Sequence, residues 1–202
     1  MRPPEAQRRG LRIVGGVHRG RRLVAPPGEA VRPTSDRARE ALFNILSHGS
    51  LAASGLPFAG EPVLDAFAGT GALGLEALSR GAGRAAFIEN GREALAALRR
   101  NIVALGEDDR AYIVAGEATR PPRAAFACKV AFLDPPYRSG LAAQALPALA
   151  AAGWLAADAL AVVELAASEE WPPLSGFTLL DERVYGAARL VFLRREPASA
   201  RL

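Results

Sequence analysis

Cysteine and histidine are scarce in this chain. Its 202 residues include one cysteine, Cys128, and two histidines. A single cysteine excludes an internal disulfide framework, and the apolar run around Cys128 predicts a small core residue rather than a reactive thiol. The sequence offers no convincing metal site and no convincing cysteine nucleophile.

Long apolar runs are also absent. No stretch approaches the roughly 20 apolar residues that span a bilayer. The first ten residues, MRPPEAQRRG, are positively charged, but no apolar segment follows them, which is not typical of a signal peptide. Half of the chain (50%) is hydrophobic, which suits one domain with a sizeable core. We expect a soluble cytoplasmic protein with no membrane partner.

Positive charge is concentrated near the N-terminus, almost entirely as arginine, since Lys129 is the only lysine. Residues 1–39 hold ten arginines against three acidic residues, a net charge of +7, while the remainder carries 15 basic and 18 acidic residues, a net charge of −3. A basic segment on a mildly acidic body is typical of a polyanion-binding appendage. A solvated, partly disordered arm is the alternative, and composition does not decide between them.

The N-terminal part of the chain divides into short units. We predict a disordered basic tail over residues 1–10. Two β-prone runs around a glycine-containing reversal predict a hairpin at about 11–25. The following segment predicts a helix capped by Ser35 or Asp36 and ended by Gly49. The expected organisation is therefore a tail, a basic hairpin with its RPT loop over 11–35, and a main domain over 36–202.

From residue 62 onward, strands and helices alternate. This order predicts an α/β fold with a seven-stranded, mostly parallel sheet and helices on both faces. The link YGAA is too short for a crossover, so it predicts a C-terminal antiparallel hairpin. Strands are expected at about 62–66, 84–89, 111–115, 129–134, 159–165, 177–184 and 189–195, and helices at 71–80, 91–104 and 140–152.

A glycine-rich loop follows the first predicted strand. Gly69, Gly71 and Gly74 spell G-x-G-x-x-G, and Glu89 follows Gly69 by twenty residues. This pattern matches the dinucleotide-binding fingerprint. However, Asp65 stands four positions before Gly69, where its carboxylate would repel a pyrophosphate. A ligand with an amino group and a positively charged sulfur would be attracted instead, and S-adenosylmethionine is such a ligand.

Acidic residues lie at or just after four successive predicted strands, where ligands of open α/β sheets bind. We predict that Asp65 holds the ammonium of S-adenosylmethionine, directly or through water. Glu89 is expected to accept both ribose hydroxyls, and Glu117 to accept from the adenine amino group. Ordinary loop acids are the alternative, which the repetition of the pattern disfavours. The predicted cofactor-binding residues are Asp65, Phe67, Ala68, Gly69, Thr70, Gly71, Glu89, Asn90, Glu117 and Ala118.

The fourth predicted strand runs into the tetrapeptide DPPY. Its two prolines stiffen the chain and carry no N–H donor. Asp134 and the carbonyl of Pro135 can each accept one N–H of a nucleobase amino group, which aims the nitrogen lone pair at a methyl donor. Tyr137 offers a face on which the base can stack. The predicted catalytic residues are Asp134, Pro135, Pro136 and Tyr137.

Together these motifs resemble a known family. DPPY is similar to the motif of the amino-group nucleic-acid methyltransferases. With LRIVGGVHRGRRL, RPTSDRAREALFNIL and VLDAFAGTGALGLEALSRGA, the chain resembles the RsmD-type bacterial 16S ribosomal RNA guanine-N2 methyltransferases from Leu11 to about Arg195. The resemblance implies a class I S-adenosylmethionine-dependent methyltransferase fold. It also implies a target guanine at position 966 of the small-subunit RNA. The family more often has Asp where this chain has Glu117.

The resemblance further implies that the basic hairpin and the RPT loop hold RNA or close over the cofactor. The expected partner is 16S ribosomal RNA within a 30S subunit or an assembly intermediate, and the expected state is a monomer. For His18, a solvent-exposed turn residue without an RNA contact is the alternative. The predicted RNA-binding residues are Arg12, His18, Arg19, Arg21, Arg22, Arg32, Thr34, Arg37 and Arg138.

Three other functions compete with this interpretation. A DNA or RNA amino-methyltransferase acting on adenine or cytosine would use the same corner, but such DNA enzymes usually carry a separate recognition region. A nicotinamide-dependent oxidoreductase fits the glycine pattern, but Asp65 and the DPPY corner oppose it. A non-catalytic RNA-binding module would not need an intact Asp134 and glycine loop.

Overall fold

The computed structural model describes residues 11–26, 33–48 and 57–197. The predicted tail, Arg32, Gly49 and most of the predicted linker after it lie outside the described residues. Within the described ranges, no helix is both long and apolar enough to cross a membrane.

The main domain follows the predicted alternation of strands and helices. Apart from the start of the first helix and the start of the fifth strand, the predicted bounds agree with the observed ones to within one residue. In chain order the elements are α1 (Pro33–His48), β1 (Pro62–Ala66), α2 (Ala72–Ser79), β2 (Arg84–Glu89), α3 (Arg92–Leu105), β3 (Ala111–Ala115), β4 (Cys128–Leu133), α4 (Leu141–Ala151), β5 (Leu155–Ala166), β6 (Phe177–Tyr185) and β7 (Ala188–Arg195).

The described strands form one seven-stranded sheet in the order β3-β2-β1-β4-β5-β7-β6. Neighbouring strands from β3 to β5 are parallel, whereas β7 is antiparallel to both β5 and β6. The predicted parallel sheet with a closing antiparallel hairpin is therefore confirmed. The strand order reverses between β1 and β4, which is the point where ligands bind in open α/β sheets.

The two faces of the sheet carry separate hydrophobic clusters. On β1, Val63 packs in one cluster with Leu75 of α2 and Leu98 of α3, to which α1 also contributes. The next residue, Leu64, packs in the other cluster with Leu146 of α4. Successive side chains of a strand point to opposite faces, which accounts for this division. The prediction of helices on both faces is confirmed.

The predicted start of α1 was wrong. The helix begins at Pro33, so Ser35 and Asp36 lie within its first turn and not at its cap. Proline is well suited to the first helical position, because its missing N–H would have no partner there and its φ is already helical. A proline at this point was therefore a better start signal than the polar residues after it.

Strand β5 also begins earlier than predicted, at Leu155 rather than residue 159. Leu155 pairs with Cys128, but the register then shifts before Val130 pairs with Leu160. Asp158 lies in this irregular stretch with φ of 62°. The irregularity interrupts the apolar alternation by which strands are recognised in sequence, so the first residues of β5 were missed.

The N-terminal hairpin (residues 11–26) reverses the chain as predicted, although its ladder is limited to one antiparallel bridge, between Arg12 and Arg22. Its apolar side chains Leu11, Ile13 and Leu23 are buried in the cluster that contains α1, α2 and α3. The hairpin is thus held by packing on the main domain and by backbone bonds across it, such as that from the N–H of Leu23 to the carbonyl of Leu11 at 2.8 Å.

The turn of the hairpin rests on the C-terminal end of α2. The N–H of Val17 donates to the carbonyl of Ser79 at 2.8 Å, and the N–H of His18 donates to the Ser79 hydroxyl at 2.9 Å. The Ser79 hydroxyl in turn donates to the carbonyl of Gly15 at 2.6 Å. A Cβ at Gly16 would lie 1.8 Å from the Ser79 carbonyl oxygen, so only glycine permits this approach.

Two glycines of the hairpin provide a matched test of this docking. Gly16 and Gly20 both have positive φ, but a Cβ at Gly20 would meet no atom within 4 Å. Gly20→Ala should therefore cost only the backbone strain, about 1–2 kcal/mol. Gly16→Ala should in addition separate the turn from α2. We expect hydrogen exchange of the Ile13 and Leu23 amides to be at least about tenfold faster in Gly16→Ala than in Gly20→Ala. Equal rates would contradict the docking.

Candidate active site at the carboxyl edge of the sheet

The topology brings the predicted acidic residues to one edge of the sheet. Asp65 lies in β1, Glu89 ends β2, Glu117 follows β3 by two residues, and Asp134 follows β4 directly. Because these four strands are neighbours and parallel, their carboxyl ends share an edge. The crevice expected at the reversal of strand order lies between Asp65 and Asp134.

The backbone of the glycine motif is open at Gly69 and closely packed at Gly74. A Cβ at Gly69 would meet no atom within 4 Å, so this part of the backbone is open to a ligand. A Cβ at Gly74 would lie 2.4 Å from the ring of Phe87, so glycine is needed there for α2 to pack against β2. Phe67 adopts a φ of 62°, which is a strained conformation for an aromatic residue. Strain of this kind is concentrated at functional sites.

Asp65 is buried beneath this loop, with only 1% of its surface exposed. Its Oδ2 accepts a hydrogen bond from the N–H of Gly74 at 2.8 Å. Burial, with a smaller contribution from the charge of Glu89, raises the pKa of Asp65 to about 8, although the N–H groups of Gly74 and Leu73 oppose the shift. The carboxyl group therefore acts first as a support for the loop, and its contact with a cofactor ammonium stays a prediction.

Glu89 joins the glycine loop to the loop after β2. Its Oε2 accepts from the N–H of Gly69 at 2.7 Å, and its Oε1 accepts from the N–H groups of Asn90 at 2.9 Å and Gly91 at 2.6 Å. A carboxylate offers about four lone-pair positions, of which three are used here. Accepting two ribose hydroxyls, as predicted, requires the release of at least one of these bonds.

A cavity of about 220 Å³ opens beside Glu89. This volume is below the roughly 300–1,000 Å³ of typical small-molecule pockets, so it suits only part of a ligand of the size of S-adenosylmethionine. Five predicted cofactor residues line it, and sequence reasoning missed Ile88, Gly116, Thr119 and Leu141, which carry no polar motif. The lining residues are Phe67, Ile88, Glu89, Asn90, Gly116, Glu117, Ala118, Thr119 and Leu141.

The other five predicted cofactor residues do not line this cavity. Asp65 is buried beneath the loop, and the others lie within the loop itself, with Ala68 and Thr70 mostly buried. The structure thus separates the predicted set into a cavity group and a loop group. The loop group consists of Asp65, Ala68, Gly69, Thr70 and Gly71.

The DPPY corner follows β4 at the same edge. Asp134 is exposed and Pro135 is buried, so the carboxylate stands at the surface on a fixed base. The hydroxyl of Tyr137 donates to Oε1 of Glu164, in β5, at 3.0 Å. This bond fixes the orientation of the Tyr137 ring, and sequence reasoning did not identify Glu164.

A second acidic residue holds the backbone after the corner. Arg138 has a φ of 60°, and its N–H donates to Oε1 of Glu169 at 2.8 Å. The other oxygen of Glu169 accepts from the N–H of Ala166, at the end of β5, at 2.9 Å. Two consecutive residues at the end of the corner are therefore tied to β5 and to the loop that follows it.

The buried side chain of Asn101, in α3, connects the hairpin with the glycine loop. Its Oδ1 accepts from the N–H of Val24 at 2.7 Å, and its Nδ2 donates to the carbonyls of Val24 at 3.0 Å and Thr70 at 2.9 Å. The loop and the hairpin thus share one buried amide. An isolated asparagine inside an apolar helical pattern was the available signal, and it was missed.

The predicted RNA-binding residues have different environments. His18 has 16% of its side chain exposed, and its Nε2 lies 2.6 Å from Oε1 of the buried Glu107. The guanidinium of Arg21 donates to the carbonyl of Ala104 in α3. Arg32 lies outside the described residues, and of Thr34 and Arg37 only the backbone, in α1, is described. Exposed arginines of the predicted set are Arg12, Arg19, Arg21, Arg22 and Arg138.

Comparison with known proteins assigns the family. The family model described as "Conserved hypothetical protein 95" matches residues 11–194. Ribosomal RNA small subunit methyltransferase D of Escherichia coli (strain K12) is 36% identical over 187 residues, which cover 92% of this chain and 90% of the relative. The chain belongs to the RsmD family. The Haemophilus influenzae member is 34% identical over 181 residues, covering 87% and 89% of the two chains.

A solved structure supports the same assignment. A putative methyltransferase from Escherichia coli superposes with a TM-score of 0.77 at 36% identity, covering 93% of this chain and 98% of that one. The class I methyltransferase fold expected from the sequence is confirmed. S-adenosylmethionine is the cofactor of this RsmD-family chain. The cavity lined by Glu89 and Glu117 fits part of such a ligand, and the open side of Gly69 leaves room for another part.

The raised pKa of Asp65 makes the stability of the protein depend on pH. Since the pKa of Asp65 is about 8 in the folded protein and ordinarily 3.8, the folded protein binds this proton more tightly than the unfolded chain does. The contribution of Asp65 to the free energy of unfolding therefore falls as pH rises from about 4 to about 8. Asp65→Asn removes the titrating group. Its unfolding free energy minus that of the parent should rise by at least about 1 kcal/mol between pH 5 and pH 8 in urea titrations. If the difference in unfolding free energy between Asp65→Asn and the parent does not change with pH, the raised pKa of Asp65 is contradicted.

Proposed function

We propose that this protein transfers the methyl group of S-adenosylmethionine to the exocyclic N2 amine of a guanine in 16S ribosomal RNA. The relatives at 36% and 34% identity, named ribosomal RNA small subunit methyltransferase D, support ribosomal RNA as substrate. The family resemblance supports the guanine as target, within a 30S subunit or an assembly intermediate. We also propose that the protein is cytoplasmic, where such particles would be its substrate, and that it acts as a monomer. The observation that carries the proposal is the position of the Asp134–Tyr137 corner beside the glycine loop.

Strand pairing sets that position. Ala66, the last residue of β1, pairs with Leu133, the last residue of β4. The glycine loop and the corner therefore leave the sheet side by side, and paired strands lie about 4.8 Å apart. An amino group held at Asp134 is thereby next to a ligand held at the glycine loop. This adjacency supports a transfer between the two.

The corner is suited to a nucleobase amine. The lone pair of such an amine is delocalised into the ring, so the nitrogen is a poor nucleophile. Asp134 and the carbonyl of Pro135 each accept one of its N–H groups, and neither Pro135 nor Pro136 has a competing N–H. Holding both hydrogens favours a tetrahedral nitrogen whose lone pair is directed at the donor. S-adenosylmethionine supplies an electrophilic methyl group on a positively charged sulfur.

Tyr137 completes the proposed base site. Its ring offers a surface for stacking, and the stacking of a base on an aromatic side chain contributes about 1–3 kcal/mol of binding free energy. The hydrogen bond to Glu164 holds the ring in one orientation before the base arrives. A fixed ring lowers the cost of positioning the base against Asp134.

The direct test of the function is methylation of particles that lack the modification. The protein is incubated with labelled S-adenosylmethionine and undermodified 30S particles, and the labelled nucleoside is identified and located by mass spectrometry. We expect label in N2-methylguanosine at one site of 16S RNA. Label in a methylated adenosine or cytidine would favour the alternative amino-methyltransferase.

Replacement of Asp134 tests the corner itself. Asp134→Ala should leave cofactor affinity largely unchanged but slow the single-turnover rate at saturating cofactor by more than about a hundredfold, or roughly 3 kcal/mol. Asp134→Asn should also be severely impaired. Tyr137→Ala should lose most activity, whereas Tyr137→Phe keeps the ring, loses the bond to Glu164, and should lose less than about tenfold. Near-parental turnover of Asp134→Ala would mean that the corner is only a rigid strand end.

The exposed arginines of the hairpin are expected to bind the RNA backbone. Replacing Arg19 and Arg22 together by alanine should weaken RNA binding. The slope of log affinity against log salt concentration should become shallower by at most roughly one unit for each phosphate contact that is lost. Cofactor affinity, measured by calorimetry, should not change. The matched control replaces Arg183 and Arg194, which are also exposed but lie in β6 and β7, at the end of the sheet away from β1 and β2. Equal loss of RNA affinity in both double variants would exclude a specific role for the hairpin.

A further inference from the structure

Glu164 lies beside the proposed base site, and the methyl transfer described above uses it only to hold the Tyr137 ring. Strands β4 and β5 are parallel neighbours, and Leu133 pairs with Val163. One residue further along each strand stand Asp134 and Glu164. Glu164 therefore occupies the position next to the acid that holds the target amine.

The contact with Tyr137 places the carboxylate of Glu164 at the ring on which the base stacks. Oε1 of Glu164 accepts from the Tyr137 hydroxyl at 3.0 Å, so one carboxylate oxygen lies at the outer edge of that ring. Glu164 is half-buried. A carboxylate offers about four lone-pair positions, so a further hydrogen bond beside that from Tyr137 is within its capacity.

The three bases with an exocyclic amine differ at the neighbouring ring atoms. In guanine, the ring nitrogen N1 beside the amine carries a hydrogen and is a donor. In adenine and cytosine, the adjacent ring nitrogen on the pairing edge has no hydrogen and is an acceptor. A carboxylate next to Asp134 would accept from guanine N1–H but would face a lone pair in adenine or cytosine.

We propose that Glu164 accepts the N1–H of the target guanine and thereby selects guanine over adenine and cytosine. This inference rests on the proposed function and identifies the residue that determines its base specificity. Sites that hydrogen-bond a substrate N–H discriminate strongly against analogues that lack it, because the buried acceptor is then left unpaired.

The test compares two bases at the nucleotide that the parent methylates. 30S particles are reconstituted with ligated 16S RNA carrying either guanine or 2-aminopurine at that position. 2-Aminopurine keeps the amine at C2 but has an acceptor at N1. Single-turnover rates are measured for the parent, Glu164→Gln and Tyr137→Phe, and the quantity compared is the ratio of the guanine rate to the 2-aminopurine rate. Intrinsic differences in amine reactivity between the two bases cancel when ratios are compared among proteins.

We expect the ratio to fall by at least roughly tenfold in Glu164→Gln. The amide oxygen of Gln can still accept from Tyr137, while its NH₂ group can donate to N1 of 2-aminopurine. Tyr137→Phe should lower both rates by a similar factor and leave the ratio unchanged. Glu164→Asp, which keeps the carboxylate, should retain a preference for guanine and guards against a folding defect in Glu164→Gln, as does cofactor affinity measured by calorimetry.

The outcomes distinguish a failure of the specificity role of Glu164 from a failure of the proposed function. If Glu164→Gln lowers both rates equally, Glu164 only holds Tyr137, and the specificity role is excluded while the proposed function stands. If the parent methylates no guanine in these particles, the proposed function itself fails, and the role of Glu164 fails with it.

Discussion

The hydrogen bond from the Gly74 amide to the buried carboxyl group of Asp65 is the interaction on which the site depends. It ties the first turn of α2 to β1, across a loop that Glu89 holds from the other side through the Gly69 amide. The two acids therefore shape the loop through their bonds to its backbone. Because the loop is held at both ends, the open side of Gly69 is presented at the edge of the sheet where Asp134 also stands.

Most of the fold was predictable because buried parallel strands appear in sequence as short apolar runs between helical segments. The bounds of β1, β2 and β3 followed from such runs without error. The exceptions have local causes. The first residues of β5 lie in an irregular stretch around Asp158, where the apolar run is interrupted. The start of α1 was placed too late because polar capping residues were preferred to Pro33, which is equally suited to begin a helix.

The candidate site was only partly predictable, for a different reason. Motifs reveal residues that are close in sequence, such as the glycine loop and the corner. Glu164 and Glu169 contact Tyr137 and Arg138 across separations of 27 and 31 residues, and no local pattern indicates such pairs. His18 illustrates the opposite case. Its position in a basic hairpin suggested phosphate contact, but its ring lies against the buried Glu107, a residue far away in the chain.

The shared amide of Asn101 has a thermodynamic consequence. One side chain bonds both Val24 in the hairpin and Thr70 in the glycine loop, so a displacement of either segment changes the hydrogen bonding of the other. Two binding events that act on these segments are then linked by a common free energy. Linkage is reciprocal: whatever factor an RNA bound at the hairpin would contribute to cofactor affinity, the cofactor would contribute to RNA affinity. Joint occupancy would then be favoured or disfavoured by one coupling free energy, the same whichever ligand binds first.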